Sequence, residues 1–218
     1  MDVPDLFLHP EMIWQNKLAE IRRGDVGFSH SFIAVQGLTR EQALEALGMA
    51  VSEVRTDLLE GVTLFDWSDD WLVVLSADDR DALEGELAEL GSLGRAAVAY
   101  GVDTDVPYAT GRGYEGGKDS WTVTVKPNQG RISVVGQPPE QLDSIIGAAK
   151  AEQQNTEVDL FFDIPARLAE SICGFLIDEG DPDALQYVSL KSTGLGRPKS
   201  RERAPKGPGF FARLFGRS

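Results

Sequence analysis

The apolar residues of this sequence are concentrated in short runs bounded by turn-forming residues. The runs richest in β-branched and aromatic side chains are residues 28–35, 62–65, 71–75, 96–102, 121–125 and 131–135. Runs of this length and composition predict β-strands. None approaches the ~20 consecutive apolar residues that a membrane-spanning helix requires. The sequence therefore predicts a fold organised by a sheet.

Two pairs of these runs predict antiparallel hairpins. Residues 62–65 and 71–75 flank the acidic turn 68–70. Residues 121–125 alternate apolar side chains with threonines and are separated from residues 131–135 by a short Pro-Asn-Gln-Gly turn. Strict alternation is typical of a strand with one buried face and one solvated face.

Helices are predicted between the strands. Thr39 and Gln42 have the spacing of a capping box and begin a helix that Gly48 ends. Further helices are predicted over residues 11–23, from the acidic pair 78–79, after Pro138 with Pro139 in the first turn, and after the Phe-Asp-Ile-Pro segment 162–165. A last strand is predicted over residues 186–190.

These elements predict an α+β fold with a mainly antiparallel sheet and helices grouped on one face. The folded part is expected to be a single domain spanning residues 1–190. Residues 191–207 are rich in Gly, Pro and basic side chains, which is typical of a flexible, disordered linker. Residues 208–218 form a short amphipathic C-terminal segment.

Charge divides the chain into two parts of opposite sign. Residues 1–190 contain 13 basic and 34 acidic residues, a net charge of −21, whereas residues 191–218 contain 8 and 1, a net charge of +7. An acidic body repels phosphate groups, so nucleic acid is not an expected partner. A weak contact with a membrane surface is open to the C-terminal segment alone.

The C-terminal segment is the candidate partner-binding site. Its apolar residues are spaced four apart, so a helix would place them beside arginines on one surface. Large exposed apolar side chains are a liability unless another surface covers them. The candidate residues are Phe210, Phe211, Arg213, Leu214, Phe215 and Arg217. Docking of this segment on its own acidic domain remains an alternative.

Residues 111–116 match the letters of a GxGxxG dinucleotide fingerprint. The glycines lead into a predicted strand instead of a helix, so no helix N-terminus follows to hold a pyrophosphate. Gly117 and Lys118 resemble the end of a P-loop, but Asp119 stands where Ser or Thr would reach magnesium, and Arg112 replaces the first glycine. The segment is therefore interpreted as a flexible, solvated hairpin loop.

No other motif predicts chemistry. His9 and His30 are too few for the common multi-histidine zinc sites. Cys173, the single cysteine, is expected to pack as a small apolar residue. Acidic groups at 66–70, 78–81 and 178–183 are typical of turns and helix starts. Trp14, Trp67, Trp71 and Trp121 are expected in the core. We therefore assign no catalytic residue, cofactor or metal ligand.

Several segments resemble a family of uncharacterised bacterial proteins. They are the strand and helix at 31–48, the Gly-Gln-Pro-Pro turn at 136–139 and the Phe-Asp-Ile-Pro helix start at 162–165. The resemblance covers residues 28–180 and implies no catalytic residues. In size and acidity the chain is also similar to toxin-neutralising immunity proteins.

Three hypotheses for function follow. The first is a cytoplasmic bacterial protein that acts by binding another protein, such as an immunity factor that neutralises a toxin. The second is a metal-assisted hydrolase whose carboxylates Asp66, Asp69 or Asp70 meet only in the fold. The third is a peripheral membrane or scaffold protein acting through its C-terminal segment. A cytoplasmic location is expected because the N-terminus lacks the pattern of a secretory signal.

Overall fold

A computed structural model describes residues 29–55, 61–67, 70–76, 86–103, 107–126, 131–154, 159–177 and 187–192. The helix expected at 11–23, the helix start expected at 78–79, and the C-terminal residues from 193 onward lie outside these ranges. The described elements form one antiparallel sheet of nine strands with helices packed against it, which confirms the predicted α+β class.

The sheet is built around β1 (Ser29–Gln36), which pairs with β4 (Trp71–Ser76) on one side and β5 (Ala96–Asp103) on the other. Its central residues 32–35 have no exposed surface. Because successive side chains of a strand point to opposite faces, this strand must be covered on both faces. It is the centre of the protein's packing.

The other strands extend the sheet to both sides of β1. They are β2 (Met49–Arg55), β3 (Val62–Asp66), β6 (Tyr108–Glu115), β7 (Lys118–Lys126), β8 (Arg131–Gly136) and β9 (Tyr187–Ser192). The spatial order is β2-β9-β3-β4-β1-β5-β6-β7-β8. The two predicted hairpins, β3–β4 and β7–β8, are confirmed. Strands β2 and β8 therefore form the two edges of the described sheet.

Within the described ranges, four α-helices pack against the sheet or against one another. They are α1 (Arg40–Leu47), α2 (Glu86–Leu93), α3 (Gln141–Gln153) and α4 (Ile164–Cys173), the last preceded by a 3-10 turn at Leu160–Asp163. The capping box of α1 is confirmed: Thr39 Oγ1 accepts from the Gln42 N–H, and Gln42 Oε1 accepts from the Thr39 N–H at 2.9 Å. Gly48 ends the helix in a left-handed conformation.

The helices lie on both faces of the sheet, so the expected grouping on one face is wrong. Ala43 of α1 and Leu90 of α2 pack in one core layer with Ile33 of β1. Leu142 of α3 and Leu168 of α4 belong to the other layer. The apolar run of β1 has two faces to bury, and a single helical layer would leave one of them in water.

Two local features also differ from the sequence-based prediction. Strand β2 has no counterpart among the predicted elements, because its sequence interrupts apolar residues with Ser52, Glu53 and Arg55. Helix α3 begins at Gln141, so Pro139 precedes the helix and does not occupy its first turn.

The glycine-rich segment expected to be a flexible loop is strand β6. Gly111 and Gly113 lie on the face covered by α4 and by Trp121 of β7. A Cβ at Gly111 would lie 3.1 Å from the Pro165 carbonyl oxygen, and one at Gly113 would overlap the Trp121 indole. These glycines are therefore explained by close packing of the indole and the start of α4 against the strand.

We predict that Gly113→Ala destabilises the protein, because the buried Trp121 indole must move to admit a methyl group. The expected loss in free energy of unfolding is about 1–3 kcal/mol, the usual cost of overpacking. A Cβ added at Gly147 of α3 would have nothing within 4 Å of it. Gly147→Ala should therefore stabilise by about 0.5–1 kcal/mol. Urea denaturation of both variants tests this, and equal effects would contradict the packing argument.

Candidate functional site

The residues of the GxGxxG-like motif, 111–116, belong to strand β6 and the turn that follows it. Strand β6 is paired on both sides, with β5 and β7, so its backbone N–H groups take part in the two ladders. Gly116 and Gly117 have φ angles of +56° and +78° and form the turn into β7. Tyr114 donates its hydroxyl hydrogen to the Gly117 carbonyl at 2.7 Å. The glycines therefore serve packing and a tight turn.

The charged residues next to these glycines, Arg112, Lys118 and Asp119, lie on strands β6 and β7. The Arg112 guanidinium lies 3.2 Å from the Asp119 carboxylate across the β6–β7 ladder. Lys118 is the first residue of β7 and is exposed. The arrangement has the strand–turn–strand geometry of a hairpin, in contrast to the loop and following helix of a P-loop.

The carboxylates of the hydrolase hypothesis are engaged by different cations. Asp66 forms an ion pair with Arg40 at 2.7 Å, and Asp70 forms one with Arg95. Asp69 lies outside the described residues, as do the acidic groups at 78–81 and 178–183. Within the described ranges, no group of three or more His, Cys, Asp or Glu side chains is placed to hold a metal ion. These contacts provide no support for a carboxylate-bound metal.

His30 lies in β1 and is buried on the α3/α4 face, with its ring 5.6 Å from that of Tyr100. Burial lowers the pKa of His30 from 6.5 to about 4. The imidazole is therefore neutral at physiological pH. Its neighbours Ser29 and Ser31 point to the opposite face, as strand geometry requires.

Cys173 ends helix α4 and is buried, with its thiol donating to the Ala169 carbonyl at 3.3 Å. Burial raises the pKa of the Cys173 thiol to about 11. A nucleophilic cysteine requires the thiolate. This environment agrees with the expected role of Cys173 as a small apolar core residue.

The described tryptophans belong to the core. Trp71 and Trp121 are buried, and half-buried Trp67 packs edge-on against Phe175 at 5.3 Å. Trp14 lies outside the described residues. The sequence-based expectation that tryptophans pack in the core is confirmed for these three.

The exposed surface that stands out is strand β8. Large apolar side chains are exposed at four described positions, and two of them, Val134 at 44% and Val135 at 57%, are adjacent on this strand. Val134 points to the α3/α4 face, opposite Val123, while Val135 points to the other face, opposite Thr122. Strand β8 therefore presents apolar surface on both faces of the sheet.

The backbone of β8 is also open to pairing. Its register with β7 continues without a shift through six residue pairs. The Gln137 N–H donates to the Ser120 carbonyl at 3.0 Å, so alternation along the ladder directs the N–H and C=O groups of Ile132 and Val134 away from β7. No described strand pairs with β8 on that side. These groups form a template for a further strand.

The opposite edge is different. The register between β2 and β9 shifts between Val51 and Glu53, which is a β-bulge, and Ser52 there donates its hydroxyl hydrogen to the Ser189 carbonyl at 3.0 Å. A bulge and charged residues on an edge strand discourage pairing with other chains. Of the two edges, β8 is the one suited to accept a strand.

The charge near β8 also differs from that of the whole chain. Strands β6, β7 and β8 contain four basic residues and two acidic ones, whereas the chain has a net charge of −14. Arg131 is exposed at the start of β8, and no described residue forms an ion pair with it. This edge therefore lacks the acidic charge that predominates elsewhere.

The residues predicted to bind a partner, Phe210 to Arg217, lie outside the described part of the chain and stay a prediction. Sequence reasoning predicted strand β8 and did not identify it as a surface. The available signal was the adjacent pair Val134 and Val135, which makes the strand apolar on both faces while β7 alternates. Its position at the sheet edge depends on strand order, which the sequence does not encode locally.

Comparison of the chain with protein-family models, with curated proteins and with solved structures finds no match. None of the helices in the described ranges is long and apolar enough to cross a membrane.

We predict that His30 makes stability depend on pH. Below pH 6.5 the unfolded chain binds a proton at this residue, whereas the folded chain does so only near pH 4. The free energy of unfolding should therefore fall as the pH drops from 6.5 to 4, by at most about 3 kcal/mol. Urea denaturation across this range should show a smaller fall for His30→Gln than for the wild type. An unchanged pH profile would refute the assignment.

We predict that Cys173 is unreactive in the folded protein. Its rate of reaction with an aromatic disulfide reagent at pH 8 should be at least about 100-fold lower than in guanidinium chloride, because burial disfavours the thiolate. Absorbance of the released thiolate measures both rates, and comparable rates would show that the thiol is accessible.

Proposed function

We propose that this protein acts by binding another protein and that strand β8 is its binding surface. The observation that carries the proposal is a regular edge strand with Val134 and Val135 exposed on its two faces. Addition of a strand to such an edge supplies affinity through main-chain hydrogen bonds, and the alternating side chains supply specificity. A toxin as the partner, and a second contact through residues 210–217, remain predictions.

A binding role agrees with the surroundings of the side chains that were considered for catalysis, which are buried or form ion pairs. The histidine and cysteine of the described chain are buried, with the pKa of the Cys173 thiol raised, and Asp66 and Asp70 are engaged by different arginines. Strand β8 offers outward backbone N–H and C=O groups, the apolar side chains of Ile132, Val134 and Val135, and the polar side chains of Arg131 and Ser133. These groups support recognition of another chain.

The proposal is tested by capture from a lysate of the cells that encode the protein, with full-length wild type and Val134→Lys as baits. A lysine on an edge strand opposes pairing, so the variant should lose the specific partner. Leu93→Lys is the matched control, because Leu93 is 56% exposed on α2, away from the edge. Mass spectrometry identifies the captured proteins.

A partner retained by the wild type and Leu93→Lys but lost by Val134→Lys supports binding at β8. Equal capture by all three baits argues against this surface. A bait lacking residues 208–218 provides the comparison for the tail: loss of the partner there, with Val134→Lys unaffected, would assign binding to the tail and reject β8.

A further inference from the structure

We propose that the partner of strand β8 is a second copy of this chain, whose own β8 pairs with it antiparallel across a two-fold axis. The inference rests on the proposed function, since both use the same edge. Its result is a symmetric dimer in which the nine described strands of each chain continue into those of the other.

The edge can pair with itself because a two-fold rotation reverses the direction of the strand within the plane of the sheet. A two-fold axis normal to the sheet turns β8 into an antiparallel neighbour of itself, with the α3/α4 faces of both chains on the same side. The outward N–H and C=O groups of β8 then meet outward groups of the same strand in the partner. In such a symmetric interface, β8 of each chain supplies the groups that pair.

One register suits the side chains of β8. With the axis at Val134, this residue lies opposite the partner's Val134, and Ser133 lies opposite the partner's Val135. Ile132 then lies opposite the partner's Gly136. Every directly opposed pair consists of small or apolar side chains, and β-branched pairs of this type stabilise sheets. The added strand then covers the side of both valines that faces it.

The same register keeps like charges apart. Arg131 lies beyond the paired residues and is about 20 Å along the strand direction from the partner's Arg131, at ~3.4 Å per residue. That separation exceeds the Debye length of about 8 Å at physiological ionic strength. The chain as a whole has a net charge of −14, whereas strands β6 to β8 carry a small basic excess, so these strands do not add to the repulsion between two copies.

The chain's own C-terminal segment fits this edge less well. Residues 191–218 carry a net charge of +7, whereas strands β6 to β8 contain four basic and two acidic residues, so the tail meets more like charge at this edge than a second copy of these strands does. The apolar residues of the C-terminal segment also repeat every four positions, which suits a helix, whereas the edge accepts an extended strand.

The test is the mass of the full chain in solution, measured by sedimentation equilibrium over a range of concentrations. The wild type should approach twice the chain mass of 23.7 kDa. Val134→Lys and Val134→Glu each place like charges at the axis, so the dissociation constant should rise at least tenfold for each variant. An equimolar mixture of the two should recover the two-chain mass, because opposite charges then face each other.

Val51→Lys is the matched control, since Val51 is 43% exposed on the opposite edge strand. It should remain a dimer. A wild type that stays at the single-chain mass at every concentration overturns the inference, and so does a Val134→Lys variant that dimerises as the wild type does. Equal loss of the dimer in Val51→Lys also overturns it, because the effect would then not be specific to β8.

Hydrogen exchange at Val134 and the capture experiment separate the remaining outcomes. A single-chain wild type with a strongly protected Val134 amide would show that a segment of the same chain covers β8, which overturns the inference. A single-chain wild type that captures a different protein through Val134 overturns the dimer and leaves the proposed function standing. Independence of both assays from Val134 overturns both proposals.

Discussion

Burial of strand β1 on both faces is the constraint on which the rest of the structure depends. Phe32 and Ile33 are adjacent, point in opposite directions and are both fully buried. Phe32 meets Phe175, which follows α4, edge-on at 5.0 Å, while Ile33 shares the other layer with α1 and α2. A strand of this kind requires cover on both faces of the sheet. Helices α1 and α2 cover one face, and α3 and α4 cover the other.

Helices α2 and α4 cover the sheet from β1 to β7, the strand next to the β8 edge. Helix α4 packs on β5, β6 and β7, and α2 packs on β1, β5, β6 and β7. Close approach of α4 to the sheet requires glycine at position 111, and close approach of the Trp121 indole to β6 requires it at position 113. Past β7, on the β8 side of the sheet, side chains become exposed, so the apolar surface of β8 follows from a sheet that extends past α2 and α4.

The sequence predicts those features that depend on neighbouring residues. The capping box of Thr39 and Gln42 and the alternation along β7 are local patterns, and both are present in the structure. Strand β6 was missed because its glycines resemble those of a loop, and their reason is the indole of Trp121, which reaches them across a strand pair. The prediction that all helices lie on one face is wrong for a similar reason. The apolar run of β1 indicates two buried faces, but which helices cover each face depends on long-range contacts.

The candidate site also combines a feature that neighbouring residues predict with one that depends on long-range contacts. Strand β8 and its pairing with β7 could be predicted, whereas its position at the edge depends on the order of all nine strands. The two edges are protected by different means. Strand β2 has a bulge and charged residues, which act locally and oppose any incoming strand. Strand β8 has no register shift over its six paired residues, and Arg131 at its start is its single charged residue.

The net charge of −14 opposes association of this chain with other acidic proteins, and this repulsion acts over about one Debye length. Strands β6 to β8 carry a small basic excess, so they do not add to that repulsion at the β8 edge. Net charge can therefore keep such an edge selective without a bulge, and a strand of matching register gains the hydrogen bonds that a misaligned one does not.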